Sequence, residues 1–356
     1  GRLAVHLGTP ALLDFCRRHH EDSALVLVTI IGTEGSTYRK PGAMMLIAPG
    51  GDFEGMISGG CLEGDLLEHA SAVFESGEPA FVTYDMSADE DLIWSLGIGC
   101  DGVIHLLLQR LDRDAELALF DHMEMAHRAR HAVIMALVTR PAEGGAPGKI
   151  ALIDGARTRL GDESLFPLLL EAAERWPSWR SRVIEHDGAE VRLIHMPAPT
   201  RVLICGAGPD AVPVAAAFAG LGWEVIVADH RQAHARADRF PAGCSVKHQR
   251  QADLHEEVDL DVIDAAVVMT HHLESDAEYL RQLCGRPLRY LGVLGPTARK
   301  ERLRDMAGCP ERPLFGPVGL DIGAELPESI ALSIAAEVHA VLNRRDGHSL
   351  TGDTHD

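Results

Sequence analysis

The chain has 356 residues, 46% of them apolar and 24% charged, a globular composition too long for one ordinary core. Its 53 acidic against 33 basic side chains give a formal charge of −20, which excludes nucleic acid and anionic membranes as partners of the general surface and requires a local positive site for any anionic ligand. Seven dispersed cysteines with no C-x-x-C pair argue for reduced thiols and against a disulfide framework or a structural zinc; with no membrane span or signal segment, a cytoplasmic protein is expected.

In chain order, ALVLVTIIG (24–32) predicts a strand, and GAMMLIAPGGDFEGMISGG predicts two strands joined by a turn at Pro49–Asp52. CLEGDLLEHASAVFESG carries Leu62, Leu66, Leu67, Ala70 and Phe74 at helical spacing and closes on Gly77. AFVTYDM and GVIHLLLQRL predict strands on either side of a loop containing GIGCDG. Residues 112–199 show a helix at DAELALFDHMEMAHRAR, a strand at HAVIMALVTR, a helix at ESLFPLLLEAAERW and a strand at AEVRLIHM, read as an extension of the first domain. No internal repeat is visible. From Arg201, the runs RVLIC, EVIVAD, AAVVMT and RYLGVLG alternate with helical stretches, as a parallel sheet covered on both faces requires.

Two domains follow, 1–198 and 199–345, with a polar, disordered tail expected over 346–356. The second carries G-x-G-x-x-A as Gly206, Gly208 and Ala211, after a strand and opening a helix, with Asp229 ending the next strand. Gly206 permits the tight turn, Gly208 admits a pyrophosphate, Ala211 allows close helix packing, and Asp229 suits a ribose diol. A Rossmann fold is expected, with NAD(P) or another nucleotide as the candidate ligand; Pro209 and Asp210 at the anion position count against it. Gly295, Thr297, Arg299 and Lys300 sit where a strand runs into a helix, and backbone N–H groups with two cations there suit a phosphate.

In the first domain, Cys61 follows Gly59 and Gly60 at a predicted helix start, where the helix dipole lowers a thiol's pKa while Glu63 and Asp65 oppose it. From the residues alone Cys61 is either a working thiol or a small buried residue in a tight turn; Gly59 and Gly60 leave room for a bulky group. Cys100 occupies a second glycine-rich loop and is a candidate partner across one cleft, and Arg39 is a candidate phosphate contact.

Gly35-Ser36, Pro41-Gly42-Ala43, Ser58 through Glu63 and GIGCDG together resemble the XdhC/CoxI family, the xanthine dehydrogenase accessory factors, as do YLGVLG, MTH and GLDIGAELPESIALSIAAE in the second half. Asp101 stands where the family pattern has glycine. The resemblance implies an α/β architecture, with an N-terminal XdhC/CoxI-type domain and a C-terminal Rossmann-like parallel sheet. It implies a chaperone, rather than a turnover enzyme, that binds molybdenum cofactor, supports its sulfuration and inserts it into an apo-molybdenum hydroxylase of the xanthine, aldehyde or carbon monoxide dehydrogenase type. Cys61 is then a candidate molybdenum ligand or sulfur carrier, and a cysteine desulfurase the sulfur donor. An NAD(P)-dependent oxidoreductase and a nucleotide-sensing regulator stand as alternatives, and a homodimer is expected from the prevalence of two-fold assemblies.

Overall fold

The computed structural model describes residues 9–58, 62–86, 102–174, 180–309 and 311–351. It divides into two compact units, 1–198 and 199–356. In the first, α1 (Thr9–Arg18) precedes β1 (Ala24–Glu34), whose first seven residues are buried on both faces and therefore read as one continuous apolar run. β2 (Met44–Ile47) and β3 (Phe53–Gly55) form the hairpin predicted at Pro49–Asp52, and the Ala48 N–H donates to the Asp52 carbonyl across it. α2 (Glu63–Ser76) stops at Gly77, whose φ of 72° is a left-handed cap. β4 (Ala80–Asp85) and β5 (Val103–Asp112) complete a five-stranded antiparallel sheet ordered β3-β2-β1-β5-β4.

The following residues do the same again. α3 (Leu117–Arg128) leads into β6 (Val133–Arg140), β7 (Ile150–Asp154), β8 (Arg159–Gly161), α4 (Phe166–Ala172), β9 (Ser181–His186) and β10 (Ala189–Met196). Their sheet is also antiparallel and ordered β8-β7-β6-β10-β9. The chain therefore contains a structural repeat of helix, three strands, helix and two strands, which corrects the expectation of no internal repeat. The match holds at single hydrogen bonds. Gly42 N–H donates to Ile30 O and Ile30 N–H to Ala43 O; Gly148 N–H donates to Val138 O and Val138 N–H to Lys149 O. A Cβ on Gly55 would come within 2.6 Å of the Met44 carbonyl, and one on Gly161 within 2.4 Å of the Ile150 carbonyl. These constraints are met by backbone geometry and glycine, so they leave most side-chain identities free.

Leu25 and Leu27 of the first sheet share a core with Met135 and Leu152 of the second, and α1 and α3 fill it. The alternate residues Val26, Val28 and Ile30 pack on α2, while Ile134 and Ala136 pack on α4. Each large apolar side chain buried in these layers contributes about 1.5–3 kcal/mol.

In the second unit β11 (Arg201–Cys205), α5 (Ala211–Gly220), β12 (Glu224–Asp229), β13 (Ser245–His248), α6 (Leu254–Glu257), β14 (Ala265–Val268), α7 (Leu273–Leu283), β15 (Tyr290–Val293), α8 (Thr297–Ala307) and α9 (Pro327–Leu342) form a Rossmann-like domain. Its five strands are parallel in the order β13-β12-β11-β14-β15. α5 and α9 share one core with the sheet, α7 and α8 the other, so helices cover both faces. Cys284 and Cys309, read from sequence as unpartnered thiols, form a disulfide with their Cα atoms 6.0 Å apart. Their pairing depends on α7 and α8 lying side by side, which spacing alone does not reveal. Among the described residues no helix is long and apolar enough to cross a membrane.

Candidate functional site

Strand register brings three loops of the first repeat to one end of its sheet. Thr29 pairs with Met44, Met45 with Gly55, Glu34 with Val103, and Asp85 with Val103. The turn after β1, the segment after β3 and the connection from β4 to β5 therefore all leave at that end. Cys61, Gly59, Gly60 and Cys100 lie outside the described residues; their described neighbours belong to the second and third of these segments.

The base of the Cys61 segment is closed by one carboxylate. Glu63, only 6% exposed, accepts from the Ser58 N–H at 3.3 Å, the Ser58 hydroxyl at 3.0 Å and the Leu62 N–H at 3.1 Å. Ser58 Oγ accepts from the Leu62 N–H as well, at 3.2 Å. A buried carboxylate needs such donors, and here they tie residue 58 to residue 62. Glu63 thus works as a clamp, a role not visible when it is counted only as an acid near a thiol. Asp65 accepts from the Tyr84 hydroxyl and sits 3.4 Å from His69 Nε2. Burial, then the hydrogen bond and charge of Asp65, push the Tyr84 phenol well above its usual pKa. Tyr84 is the penultimate residue of β4, so this bond joins the start of α2 to the strand entering the Cys100 segment.

That segment is pinned at both ends. The Met86 N–H donates to Gly102 O at 3.1 Å. A Cβ on Gly102 would come within 2.5 Å of Ser36 O and 2.7 Å of Glu34 O, so only glycine lets the chain press against the Gly35-Ser36 turn. In the same turn the Thr37 hydroxyl donates to Arg39 O, and Arg39 is half-buried beside a cavity of about 360 Å³.

In the second unit Gly206 has φ 118°, and a Cβ there would meet the Met269 carbonyl at 2.7 Å. Gly208 lies under Asp210 Oδ1, and Ala211 is buried at the start of α5. These three residues build the expected strand–turn–helix. Asp229 is fully buried and already engaged: its oxygens accept from the N–H groups of Ala207 (2.6 Å) and Arg231 (2.8 Å) and from both Nε (3.0 Å) and Nη2 (2.7 Å) of Arg231. Burial alone raises its pKa, but these donors outweigh it and hold Asp229 below the usual carboxylate range. The carboxylate assigned to a ribose diol is thus turned into the protein.

The other predicted anion site is similarly committed. A Cβ on Gly295 would meet Arg299 Cδ at 2.7 Å, and Thr297 opens α8. Arg299 itself donates to the buried Asp276 at 2.7 Å and to Leu294 O at 3.0 Å, while Lys300 lies 3.4 Å from Glu301. A cleft of about 450 Å³ remains beside Gly208, lined by Arg231, His234 and Thr270 and bridged by His271 Nε2 against Asp210 Oδ2 at 2.6 Å. Sequence reading missed Tyr84, Arg231 and Asp276. Of these, only Arg231, two residues after the motif acid, carried a local signal.

Comparison with known proteins agrees with this two-part build. Residues 19–85 match the XdhC and CoxI family, and residues 202–338 match the XdhC Rossmann domain. The chain is 32% identical to a probable subunit of the xanthine dehydrogenase of Bacillus subtilis, over 92% of this chain and 95% of that protein. It is 25% identical to the molybdenum cofactor insertion chaperone PaoD of Escherichia coli, over 89% of this chain and 83% of that one. A crystal structure of a xanthine dehydrogenase from Bacillus halodurans superposes with a TM-score of 0.77 at 30% identity, covering 96% of this chain and 98% of that one. The glycine-rich cysteine segments, the Rossmann sheet and these matches make one statement: the chain belongs to the XdhC and CoxI family.

Proposed function

We propose that the protein is an accessory factor of a molybdenum hydroxylase, binding molybdenum cofactor as cargo, supporting its sulfuration and delivering it to the apo-enzyme. The observation that carries the reading is the gathering, at one end of one sheet, of the Gly35-Ser36 turn and the described ends of both cysteine segments. Loops on a rigid sheet edge are where binding groups are held most effectively. The names of two relatives, a cofactor insertion chaperone and a xanthine dehydrogenase component, support the same direction. In this reading Cys61 and Cys100 supply soft thiolate donors for molybdenum or for transferred sulfur, which a cysteine desulfurase provides. Gly59 and Gly60 leave space for the pterin.

Binding is measured with the full chain and isolated cofactor, followed by the fluorescence of the oxidised pterin, for wild type, Cys61→Ala and Cys100→Ala. About one cofactor per wild-type chain is expected, with activation of an apo-xanthine dehydrogenase reduced at least tenfold by Cys61→Ala. Full activation by that variant sinks the thiol role. The four donors already on Asp229 count against the oxidoreductase alternative, and titration with NADH and NADPH tests it.

A further inference from the structure

The cavity beside Arg39 is framed by both repeats of the first unit. Residues 38–44 and Gly55 come from the first, and Arg180, Ser181 and residues 194–197 from the second. Among the described residues no acidic side chain lines this cavity, while Arg39, Lys40 and Arg180 all do. Among the described residues no carboxylate lies within ion-pair distance of these three. Several other cations of the unit are paired, as Arg18 is with Asp14, Arg110 with Asp112, and Lys149 with Asp162, while Arg113 donates to the carbonyls of His19 and Asp22.

A fourth cation lies behind the wall. Arg192 is 6% exposed, donates to Ser181 Oγ at 2.8 Å and Ile31 O at 2.7 Å, and leaves its Nε without a partner. Burial lowers its pKa, only partly offset by the charge of Glu190. A buried guanidinium without an ion pair is costly unless an anion compensates it nearby. The cations are also held on a built turn: Ala43 N–H donates to Lys40 O, and Gly42, at φ 96°, fits so closely that a Cβ would stand 2.9 Å from Ser181. Tyr38, 54% exposed, offers a ring at the rim.

The second repeat provides an internal control. It builds a cavity of about 370 Å³ from the equivalent Gly148, Ile150 and Gly161, but lines it with Glu116, Asp162 and a single cation, Lys149. The fold therefore makes the hollow twice and leaves positive charge uncompensated once.

We infer that the Arg39–Lys40–Arg180 cavity is a phosphate subsite that takes the phosphate or pyrophosphate end of a ligand carrying a planar ring. The identity of that ligand as the pterin cargo rests on the proposed function; the phosphate chemistry does not. A free nucleotide presents the same groups, and Arg guanidinium forks suit either source.

The test is calorimetry of the full chain with inorganic pyrophosphate, GMP and isolated molybdenum cofactor. Wild type binds pyrophosphate, more weakly at high salt, and Arg39→Gln/Arg180→Gln weakens it at least tenfold with an unchanged melting temperature. Lys149→Gln, in the second cavity, leaves binding unaltered. Pyrophosphate bound equally by wild type and the double variant, or not bound by wild type, overturns the subsite. Competition identifies the source: cofactor displacing GMP marks the pterin, and the reverse marks a free nucleotide. Pyrophosphate binding lost in the double variant, with no cofactor bound by any form, upholds the subsite and defeats the delivery role. Cofactor bound equally by wild type and double variant, with pyrophosphate binding lost, removes the pterin as the ligand of this subsite and leaves delivery standing.

Discussion

The two repeats of the first unit share their strand order but not their connections. Between β4 and β5 the first repeat inserts residues 86–102, while the second joins β9 to β10 through Asp187-Gly188 alone, at φ 48° and 77°. That pair is the hairpin turn that strand twist favours. Between β3 and α2 the first repeat carries residues 56–62, while the second passes from Gly161 through Asp162 straight into a helical turn capped by the Asp162 carboxylate on Ser164 N–H. The candidate thiols Cys61 and Cys100 both fall within the first repeat's longer connections, and residues 113–198 contain no cysteine. The two halves share the scaffold, and the candidate thiols lie in what one half adds.

The largest effect comes from erasing that difference. Replacing residues 87–101 by Asp-Gly, which keeps the buried Met86 and its bond to Gly102, is expected to leave the urea midpoint nearly unchanged while abolishing apo-enzyme activation, at least 100-fold; retained activation breaks the comparison. Next, Gly55→Val and Gly161→Val each force a Cβ onto a neighbouring carbonyl at φ 104° and 97°. Both should cost about 2–4 kcal/mol in denaturant unfolding, and a large inequality shows the repeats to be less alike than their backbone. Glu63→Gln removes a buried acceptor and should cost about 1–3 kcal/mol, together with weaker cofactor binding. Its positional counterpart Asp162→Ala should cost about 1 kcal/mol, the usual value of a cap, and leave binding intact. The hydrogen bond from Ser164 chiefly holds Asp162 below its ordinary pKa. Its stabilisation is therefore present above the unfolded carboxylate pKa and lost as pH falls through the folded one, so the two proteins should converge in stability under acid.

Legibility followed the same division. β1, the β2–β3 hairpin and α2 were readable because continuous burial, a Pro-Gly-Gly-Asp turn and helical periodicity each leave a local trace. β7, β8 and β9 were not read, although Asp187-Gly188 lay between two alternating runs as a hairpin signal. β8 has three residues, and strands this short have no period to detect. The glycine-rich cysteine motifs were legible as motifs. Arg180 was not, because only the pairing of β9 with β10 brings it to the turn of the other repeat. Asp229 shows a different limit: its place at the end of β12 is legible, but not that Arg231 and the Ala207 amide engage its oxygens.

Arg192 reaches back across 161 positions to hold Ile31 O. The ribosome therefore releases one wall of the cationic cavity long before the other. At about 5–20 residues per second the second wall follows by roughly 10–30 s. A nascent chain in that interval has the cysteine motifs and the Arg39–Lys40 turn but no enclosed cavity. Capture of a phosphorylated ligand must wait until the second repeat has emerged and docked.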